Sequence, residues 1–189
     1  MSVTDLAAAV QERFNLANQA YPQGELEFMC GAVQSAQPQA IFEWGTGSGA
    51  SGRIFAEALS ILGLAALVHT TDLPNQLAPL EEQHPRERTG QYLTANAIRK
   101  RGDGVTESLV AWTELRPERS LWFIDGDHSL YAVYREVALI ERMVPDAVML
   151  IHDTNSGPGE AAEKWVADQR RHHYSWLEGR TGIGLLEPL

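Results

Sequence analysis

The sequence predicts a doubly wound α/β fold: a mostly parallel seven-stranded sheet with a C-terminal antiparallel hairpin and N-terminal helices. From residue 39 onward, apolar strand-like runs alternate with helix-like segments, which is typical of a parallel sheet with helices on both faces. Apart from Glu43, the runs IFEW, LWFI and VMLI are continuously apolar, as strands covered on both faces are. The last two strand-like segments are joined only by a short turn around Gly179 and Arg180, and so short a connection makes them antiparallel.

Two helices are predicted before the first strand. The segment TDLAAAVQERFNLANQA has the pattern of one amphipathic helix with Thr4 or Asp5 as its N-cap. A second helix is predicted over residues 25–36, ending before Pro38. We therefore expect a single domain, residues 1–189, in which residues 1–38 form a helical cap on a core of residues 39–189. We also expect the amphipathic first helix to support a homodimer.

The core elements follow in a regular order. The predicted strands are QAIFEW, ALVHTTD, GVTESLVAW, SLWFID, AVMLIHD, HYSWLEG and TGIGLLEP. The predicted helices are GRIFAEALSILG, residues 90–101, YAVYREVALIERMV and GEAAEKWVADQRR. The polar, proline-punctuated residues 73–89 have no helical or strand period, and two interpretations stay open for them: a lid that closes over the site, or a surface loop outside catalysis.

Composition and charge exclude several classes of partner. The formal net charge of −10 disfavours a nucleic-acid partner, because binding to phosphates requires a basic patch. The one dense basic cluster, IRKRG (residues 98–102), is expected to end a helix and to complement its dipole. No apolar run approaches the ~20 residues of a membrane span, and the N-terminus lacks the pattern of a signal peptide. We therefore expect a cytoplasmic protein with no membrane or nucleic-acid partner.

The glycine-rich stretch AIFEWGTGSGASGRIF, residues 40–55, follows the first core strand. In a doubly wound sheet, ligands bind at such a loop, beyond the carboxyl ends of the strands. A phosphate-binding P-loop is excluded because Arg53 and Ile54 replace the required lysine and hydroxyl residue. A dinucleotide fingerprint fits only weakly, because the expected ribose-binding acid, Asp72, comes 27 residues after Gly45 rather than about 20.

A third interpretation of this loop uses Glu43, two residues before Gly45. We expect its carboxylate to sit at the end of the strand and to point into the ligand cleft. There it would repel a pyrophosphate and attract the cationic amine of an amino-acid-like ligand. The sequence thus favours a ligand with an ammonium group over a nucleotide phosphate.

A second group of polar residues follows two later strands. FIDGDHSLY carries Asp125 and His128, and LIHDTN carries His152 and Asp153. Because the ends of these strands are expected to be neighbours, the carboxylates should converge into a site for Mg²⁺, with His152 as a candidate third ligand. Without a metal, His128 is the candidate general base, since its unperturbed pKa lies near neutrality.

These motifs resemble those of class I S-adenosylmethionine-dependent methyltransferases. Their first motif, acid-x-G-x-G-x-G, is similar to EWGTGSG at residues 43–49. The combination of IDGDHS, IHDT and TGIGLL resembles the small bacterial O-methyltransferases, a group with catechol, caffeoyl-CoA, macrolide-sugar and cephamycin types. The resemblance covers about residues 41–186 and implies a Rossmann-like methyltransferase fold.

The resemblance also implies roles for individual residues. It implies a cofactor site for S-adenosyl-L-methionine at Glu43, Gly45, Thr46, Gly47, Ser48, Asp72, Trp112 and Asp125. It implies catalytic roles for Asp125, His128 and Asp153, and a Mg²⁺ site at Asp125 and Asp153 with His152 or Thr154 in the third position. The third metal position departs from the family pattern, which has a carboxylate or amide there. For Trp112, stacking on the adenine and a place in the core are both open.

The expected function is methyl transfer to a hydroxyl of a small molecule such as a phenol, a catechol or a sugar. Mg²⁺ would assist by making the hydroxyl lose its proton more readily. Two alternatives stay open at the sequence level. One is a non-catalytic accessory protein that keeps the cofactor fold, and the other is an NAD-dependent oxidoreductase.

Overall fold

The computed structural model describes residues 1–72 and 90–189, and these form a mixed α/β structure. The strands are β1 (Ala40–Trp44), β2 (Leu67–Asp72), β3 (Ala97–Arg101), β4 (Ser120–Ile124), β5 (Val148–His152), β6 (His172–Leu177) and β7 (Ile183–Pro188). The helices are α1 (Val3–Arg13), α2 (Ala17–Ala20), α3 (Gln23–Ala36), α4 (Ala50–Ile61), α5 (Gly104–Leu115), α6 (Leu130–Met143) and α7 (Gly157–Gln169).

The strands form one seven-stranded sheet with the order β3-β2-β1-β4-β5-β7-β6. The first five strands in this order, β3, β2, β1, β4 and β5, are parallel to one another. The last strand, β7, pairs antiparallel with both β5 and β6. The predicted fold class is confirmed, including the hairpin at the C-terminus. The order reverses at β1, so the loop after β1 lies at the point where ligands bind in such sheets.

Helices cover both faces of the sheet. On one face, α1, α3 and α4 pack against β1, β2 and β4 in a cluster that includes Leu26, Phe55 and Phe123. On the other face, α6 and α7 pack in a second cluster around Trp122 and Val137. The central strands β1 and β4 are buried at every position, which agrees with their mostly apolar sequences. The polar residues at their carboxyl ends are therefore held on a rigid frame.

The elements at residues 90–115 differ from the prediction. Residues 97–101, expected in a helix, form the edge strand β3, which pairs with β2. The GVTESLVAW segment, expected as a strand, lies in helix α5, where the Asp103 side chain caps the first turn by accepting a hydrogen bond from the Thr106 N–H at 2.9 Å. Because an edge strand tolerates polar side chains, β3 can contain the basic run 98–101. This run lacks the apolar pattern from which a strand is predicted. The helix was not predicted because its first turn contains the β-branched Val105 and Thr106, and such residues favour strands.

The N-terminal region also differs in detail. The first helix begins earlier than predicted and is capped by Ser2, whose hydroxyl accepts a hydrogen bond from the Asp5 N–H at 3.1 Å. Asp5 is the reciprocal partner in this capping box rather than the cap itself. The single long helix expected over residues 4–20 is broken into α1 and α2. No helix in the described part of the chain is long and apolar enough to cross a membrane.

Candidate active site

The glycine loop, residues 45–49, connects β1 to α4 at the carboxyl edge of the sheet. Gly45, Gly47 and Gly49 all have positive φ angles, of 93°, 46° and 83°, a region that residues with a Cβ rarely adopt. A Cβ at Gly45 would also collide with the carbonyl oxygen of Asp125. The loop therefore passes directly over the end of β4, and its first residue has to be glycine.

The other predicted cofactor residues of this region lie beside the loop. Thr46 is buried, and its hydroxyl lies 2.7 Å from that of Thr70 on β2. Ser48 is partly buried. Asp72 is the last residue of β2, the strand next to β1, so its backbone lies at the same edge of the sheet as the loop. All three residues thus lie near the place where the sequence predicts the cofactor.

Glu43 is more deeply buried than expected. Its side chain is 0% exposed and faces helix α4, where a Cβ at Gly52 would lie 3.1 Å from its Oε2. Neither carboxylate oxygen has a hydrogen-bond partner among the described residues. Burial raises the pKa of Glu43 to about 7, although the nearby hydroxyls of Ser51 and Thr70 act in the opposite direction. The carboxylate thus lies under the glycine loop instead of pointing into an open cleft.

The strand-end residues of β4 and β5 come together as the sequence predicts. Ile124 pairs with Ile151 in the parallel register, so Asp125 and His152 follow at neighbouring positions. The Nδ1 atom of His152 lies 3.0 Å from Oδ1 of Asp125 and 3.6 Å from Oδ1 of Asp153. We call Asp125, His128, His152 and Asp153 the strand-end cluster.

The charge of His152 is set by these carboxylates. Burial disfavours a charged imidazole, but hydrogen bonds and charges from Asp125 and Asp153 outweigh this effect and raise the pKa of His152 to about 10. The same pairing lowers the pKa of Asp153 against the effect of its own burial. Asp153 also has a left-handed backbone, with φ of 56°, which is several-fold commoner for Asp than for most residues with a Cβ.

His128 lies at the open side of the cluster. Its side chain is 47% exposed, and its Nδ1 lies 3.2 Å from Oδ2 of Asp153. Its Nε2 lies 3.8 Å from Oδ1 of Asp125. Each ring nitrogen thus has a carboxylate nearby, with Asp153 the closer of the two, and a partly exposed imidazole held in this way is suited to act as a general base.

Three residues that the sequence did not indicate complete the site. The Tyr21 hydroxyl lies 3.4 Å from Oδ2 of Asp125, Thr181 contacts His152 through its hydroxyl, and Glu25 lies buried behind the same imidazole. Tyr21 and Glu25 come from the N-terminal helical region, and Thr181 from the turn between β6 and β7. In the sequence, Glu25 is only the first residue of the helix predicted over residues 25–36, which gives no signal of a role in the site.

Trp112 does not lie where the sequence placed it. The expected position at the end of a strand is wrong, because Trp112 lies on α5, eight residues after Gly104 at the start of that helix. Gly104 adjoins Trp44 at the carboxyl end of β1. A rise of about 1.5 Å per residue therefore carries Trp112 roughly 12 Å along the helix from the ligand-binding edge. Its ring packs against the core on that face of the sheet, so the structure favours a place in the core over stacking on the adenine.

The predicted lid, residues 73–89, lies outside the described residues.

The strand-end cluster contains a donor set that fits a divalent metal ion. One atom each from Asp125, His152 and Asp153 lie within 4.8 Å of one another. Two carboxylates suit Mg²⁺, whereas the imidazole is a ligand that Mn²⁺ or Zn²⁺ accepts more readily. The residues thus fit a divalent ion, and Mg²⁺ fits them less well than the sequence suggested.

The sequence of residues 42–154 matches the protein family described as a methyltransferase domain. This segment begins in β1 and ends just after Asp153, so it contains both the glycine loop and the strand-end cluster. It spans more than half of the chain. The protein belongs to this methyltransferase family.

Solved structures with the same fold as this methyltransferase family member come from several organisms. A Podospora anserina methyltransferase bound to SAH is 16% identical, with 100% of this chain and 88% of that chain covered and a TM-score of 0.62. A Bacillus cereus O-methyltransferase in complex with SAH is 18% identical, with coverage of 100% and 91% and a TM-score of 0.61. The O-methyltransferase TomG of Streptomyces achromogenes, involved in tomaymycin synthesis and bound to SAM, is 14% identical, with coverage of 100% and 90% and a TM-score of 0.62. A search of the curated proteins gives no match to this chain.

Proposed function

We propose that this methyltransferase transfers a methyl group from S-adenosylmethionine to a hydroxyl group of a small molecule. The contact between the glycine loop and the strand-end cluster carries the proposal. Gly45 leaves no room for a Cβ against the carbonyl oxygen of Asp125, so a ligand bound on the loop would lie beside the cluster. The SAH- and SAM-bound relatives of the same fold support this choice of cofactor.

The residues around the loop fit S-adenosylmethionine. The buried carboxyl of Glu43, whose pKa is raised to about 7 in the ligand-free protein, is proposed to ionise fully when the cationic cofactor binds and offsets its negative charge. The glycines let the backbone approach the ligand closely. At the end of β2, the Asp72 carboxylate is proposed to bind ribose hydroxyls. The cofactor supplies a methyl group on a positively charged sulfur, which needs no further activation.

The chain's own residues then have to orient and deprotonate the acceptor. His128 is proposed to take the hydroxyl proton on Nε2, while Nδ1 donates a hydrogen bond to Asp153. Asp125, whose carboxylate is paired with His152, is proposed to orient the acceptor electrostatically. Holding both reactants in line accounts for a large part of such a rate enhancement.

A divalent ion, if bound, would be held by Asp125, His152 and Asp153. It would lower the pKa of the acceptor hydroxyl and so add to the action of the base. Because the third ligand is an imidazole, we expect Mn²⁺ to bind more tightly than Mg²⁺.

The acceptor is proposed to be neutral or cationic. An open groove of about 370 Å³ includes in its lining Thr154, the residue that follows Asp153 in the sequence. It is lined by Tyr174 and Trp176, with three glutamates, Glu160, Glu163 and Glu178. Aromatic walls and carboxylates suit a hydroxylated ring or an amino-substituted sugar, whereas a phosphorylated or CoA-linked acceptor would be repelled.

The first test is calorimetric titration of the purified protein with S-adenosylhomocysteine, performed in Mg²⁺, in Mn²⁺ and in EDTA. We expect micromolar binding in all three buffers, with NAD as a control ligand that gives no heat. Tight NAD binding without S-adenosylhomocysteine binding would favour an oxidoreductase instead.

The second test measures methyl transfer from radiolabelled S-adenosylmethionine to a panel of phenols, catechols, amino sugars and CoA thioesters. We expect turnover among the uncharged or cationic hydroxylated compounds and none among the thioesters. Cofactor binding without turnover on any compound would favour a non-catalytic accessory protein.

A further inference from the structure

Glu25 is a buried carboxylate that the proposed chemistry does not use. It lies in the first turn of α3, and its side chain is 1% exposed. Its Oε1 accepts hydrogen bonds from the Thr181 N–H at 3.2 Å and from the Gly182 N–H at 3.1 Å. Its Oε2 has no hydrogen-bond partner among the described residues and lies 3.8 Å from Nε2 of His152. One oxygen therefore fixes the turn before β7, and the other faces the cluster.

The imidazole of His152 is fixed at both of its nitrogens. Nδ1 lies 3.0 Å from Oδ1 of Asp125, and Nε2 lies 2.9 Å from the Thr181 hydroxyl. The edge of the Tyr21 ring packs against the imidazole, with 5.1 Å between the centroids. A ring held at both nitrogens and by an aromatic edge has a single orientation, and that orientation points Nδ1 at the strand-end carboxylates.

We propose that Glu25, acting together with Thr181, is the positioning residue that keeps Nδ1 of His152 directed at Asp125 and Asp153. This inference rests on the proposed function for its catalytic consequence, but its structural part is independent of it. The two backbone hydrogen bonds to Glu25 place the Thr181 hydroxyl against Nε2. The second oxygen of Glu25 makes a proton on Nε2 favourable, because an acceptor-only group lies on that side of the ring.

The arrangement matches a general pattern of histidines in active sites. The ring nitrogen that faces away from the reacting groups is tied to a carboxylate or another acceptor, which fixes the orientation of the ring. Loss of such an outer partner typically lowers metal affinity or activity by about 10- to 100-fold. Here the carboxylate comes from the N-terminal helices, so residues before β1 contribute directly to the geometry of the site.

Two substitutions separate positioning from simple anchoring. Glu25→Gln keeps a carbonyl oxygen for the Thr181 and Gly182 N–H groups, but it turns an N–H donor toward Nε2 of His152. Thr181→Val keeps the shape of the side chain and removes only the hydroxyl. Thr181→Ser is the conservative variant that retains the hydroxyl. Glu27→Gln, two residues from Glu25 on the same helix and bonded to Gln23 instead, is the matched charge control.

The main measurement is the NMR signal of the His152 ring N–H protons in the ¹⁵N-labelled full-length protein, assigned by comparison with His152→Gln. In the wild type we expect the Nε2–H signal to be visible, because its hydrogen bond protects it from exchange with water. We expect this signal to be lost in Glu25→Gln and in Thr181→Val, restored in Thr181→Ser and unchanged in Glu27→Gln. An unchanged signal in both of the first two variants would overturn the proposal.

Calorimetry and turnover complete the test. Affinity for S-adenosylhomocysteine should stay within about twofold of wild type in all variants, while kcat on an acceptor from the panel should fall about 10- to 100-fold in Glu25→Gln and Thr181→Val. An equal fall in kcat for Glu27→Gln would also overturn the positioning role. If the wild type fails to bind S-adenosylhomocysteine, the proposed function fails, whereas the NMR signals still decide whether Glu25 and Thr181 position His152.

Discussion

At the scale of single residues, Asp125 joins separate parts of the site. Its carboxylate contacts His152 on β5, the Tyr21 hydroxyl and the exposed His128. Its main-chain carbonyl lies against Gly45. A change of its charge therefore affects the chemistry of the site, whereas a change of its backbone would affect the cofactor loop.

We predict that Asp125→Asn lowers methyl transfer by about 10²- to 10⁴-fold and leaves the affinity for S-adenosylhomocysteine nearly unchanged. Asparagine keeps the shape of the side chain but removes the charge that faces His152. Turnover assays and calorimetry check the two parts separately. Asp127→Asn is the matched control, because Asp127 is exposed and its side chain accepts a hydrogen bond from the Ser129 N–H. A fully active Asp125→Asn variant would contradict the assigned role.

Glu43 makes the stability of the ligand-free protein depend on pH. Its pKa is raised from 4.5 to about 7 by burial, so the folded state binds this proton more tightly than the unfolded state does. The stability that the proton provides is fully present below pH 4.5 and is lost as the pH rises through 7. The shift corresponds to a cost of roughly 3 kcal/mol at most.

We predict that Glu43→Gln is more stable than the wild type at pH 8, by roughly 1–3 kcal/mol, and that the difference shrinks toward pH 5. Glutamine resembles the protonated glutamate, so the two proteins should converge when Glu43 is neutral. Urea denaturation of the ligand-free proteins at both pH values measures this difference, with Glu27→Gln as the control. A difference that is the same at both pH values would show that Glu43 is not the titrating group.

At the scale of elements, the glycine loop tolerates substitution poorly. Gly45→Ala combines a φ of 93° with a collision against the Asp125 carbonyl, whereas Gly63, with φ of 69°, has open space where a Cβ would lie. We predict that Gly63→Ala costs only about 1–2 kcal/mol and leaves ligand affinity unchanged. Gly45→Ala should cost more and weaken S-adenosylhomocysteine binding at least about tenfold, as measured by thermal unfolding and calorimetry. Equal effects of the two substitutions would mean that the close contact with Asp125 is unimportant.

The whole molecule depends on its N-terminal helices. Leu6, Val10 and Leu26 are fully buried in the same cluster as Ile41 of β1 and Phe123 of β4. Removal of residues 1–38 would expose that face of the sheet and also remove Tyr21 and Glu25 from the site. The helical cap and the core are therefore expected to fold as one unit.

We predict that a protein lacking residues 1–38 does not unfold cooperatively and does not bind S-adenosylhomocysteine. Full burial of one large apolar side chain contributes about 1.5–3 kcal/mol, so the loss of several is comparable to the roughly 5–15 kcal/mol that stabilises a typical domain. Circular dichroism during thermal unfolding and calorimetry test this. A sharp transition near the wild-type temperature would instead show that residues 39–189 fold alone.

The sequence by itself determined the order of most elements, the fold class and the place of the glycine loop. It also determined that Asp125, His152 and Asp153 would meet, because the ends of adjacent parallel strands share one edge of the sheet. These are properties of local pattern and of topology, and both are encoded by nearby residues. Within residues 97–115 the sequence predicted a helix where β3 lies and a strand where α5 lies. Both predictions were wrong because an edge strand and a capped helix with β-branched residues have weak hydrophobic periodicity.

Only the tertiary structure decided which distant side chains complete the site. Glu25 and Thr181 are separated by 156 positions, and no local pattern relates them. The packing of the N-terminal helices against the sheet brings Glu25 to His152, and the pairing of β7 with β5 brings Thr181 there. Packing also buries Glu43 beneath the loop and places Trp112 against the core. Residue type and spacing determine what a strand end offers, whereas burial and contacts across the chain determine which groups are charged, oriented and accessible.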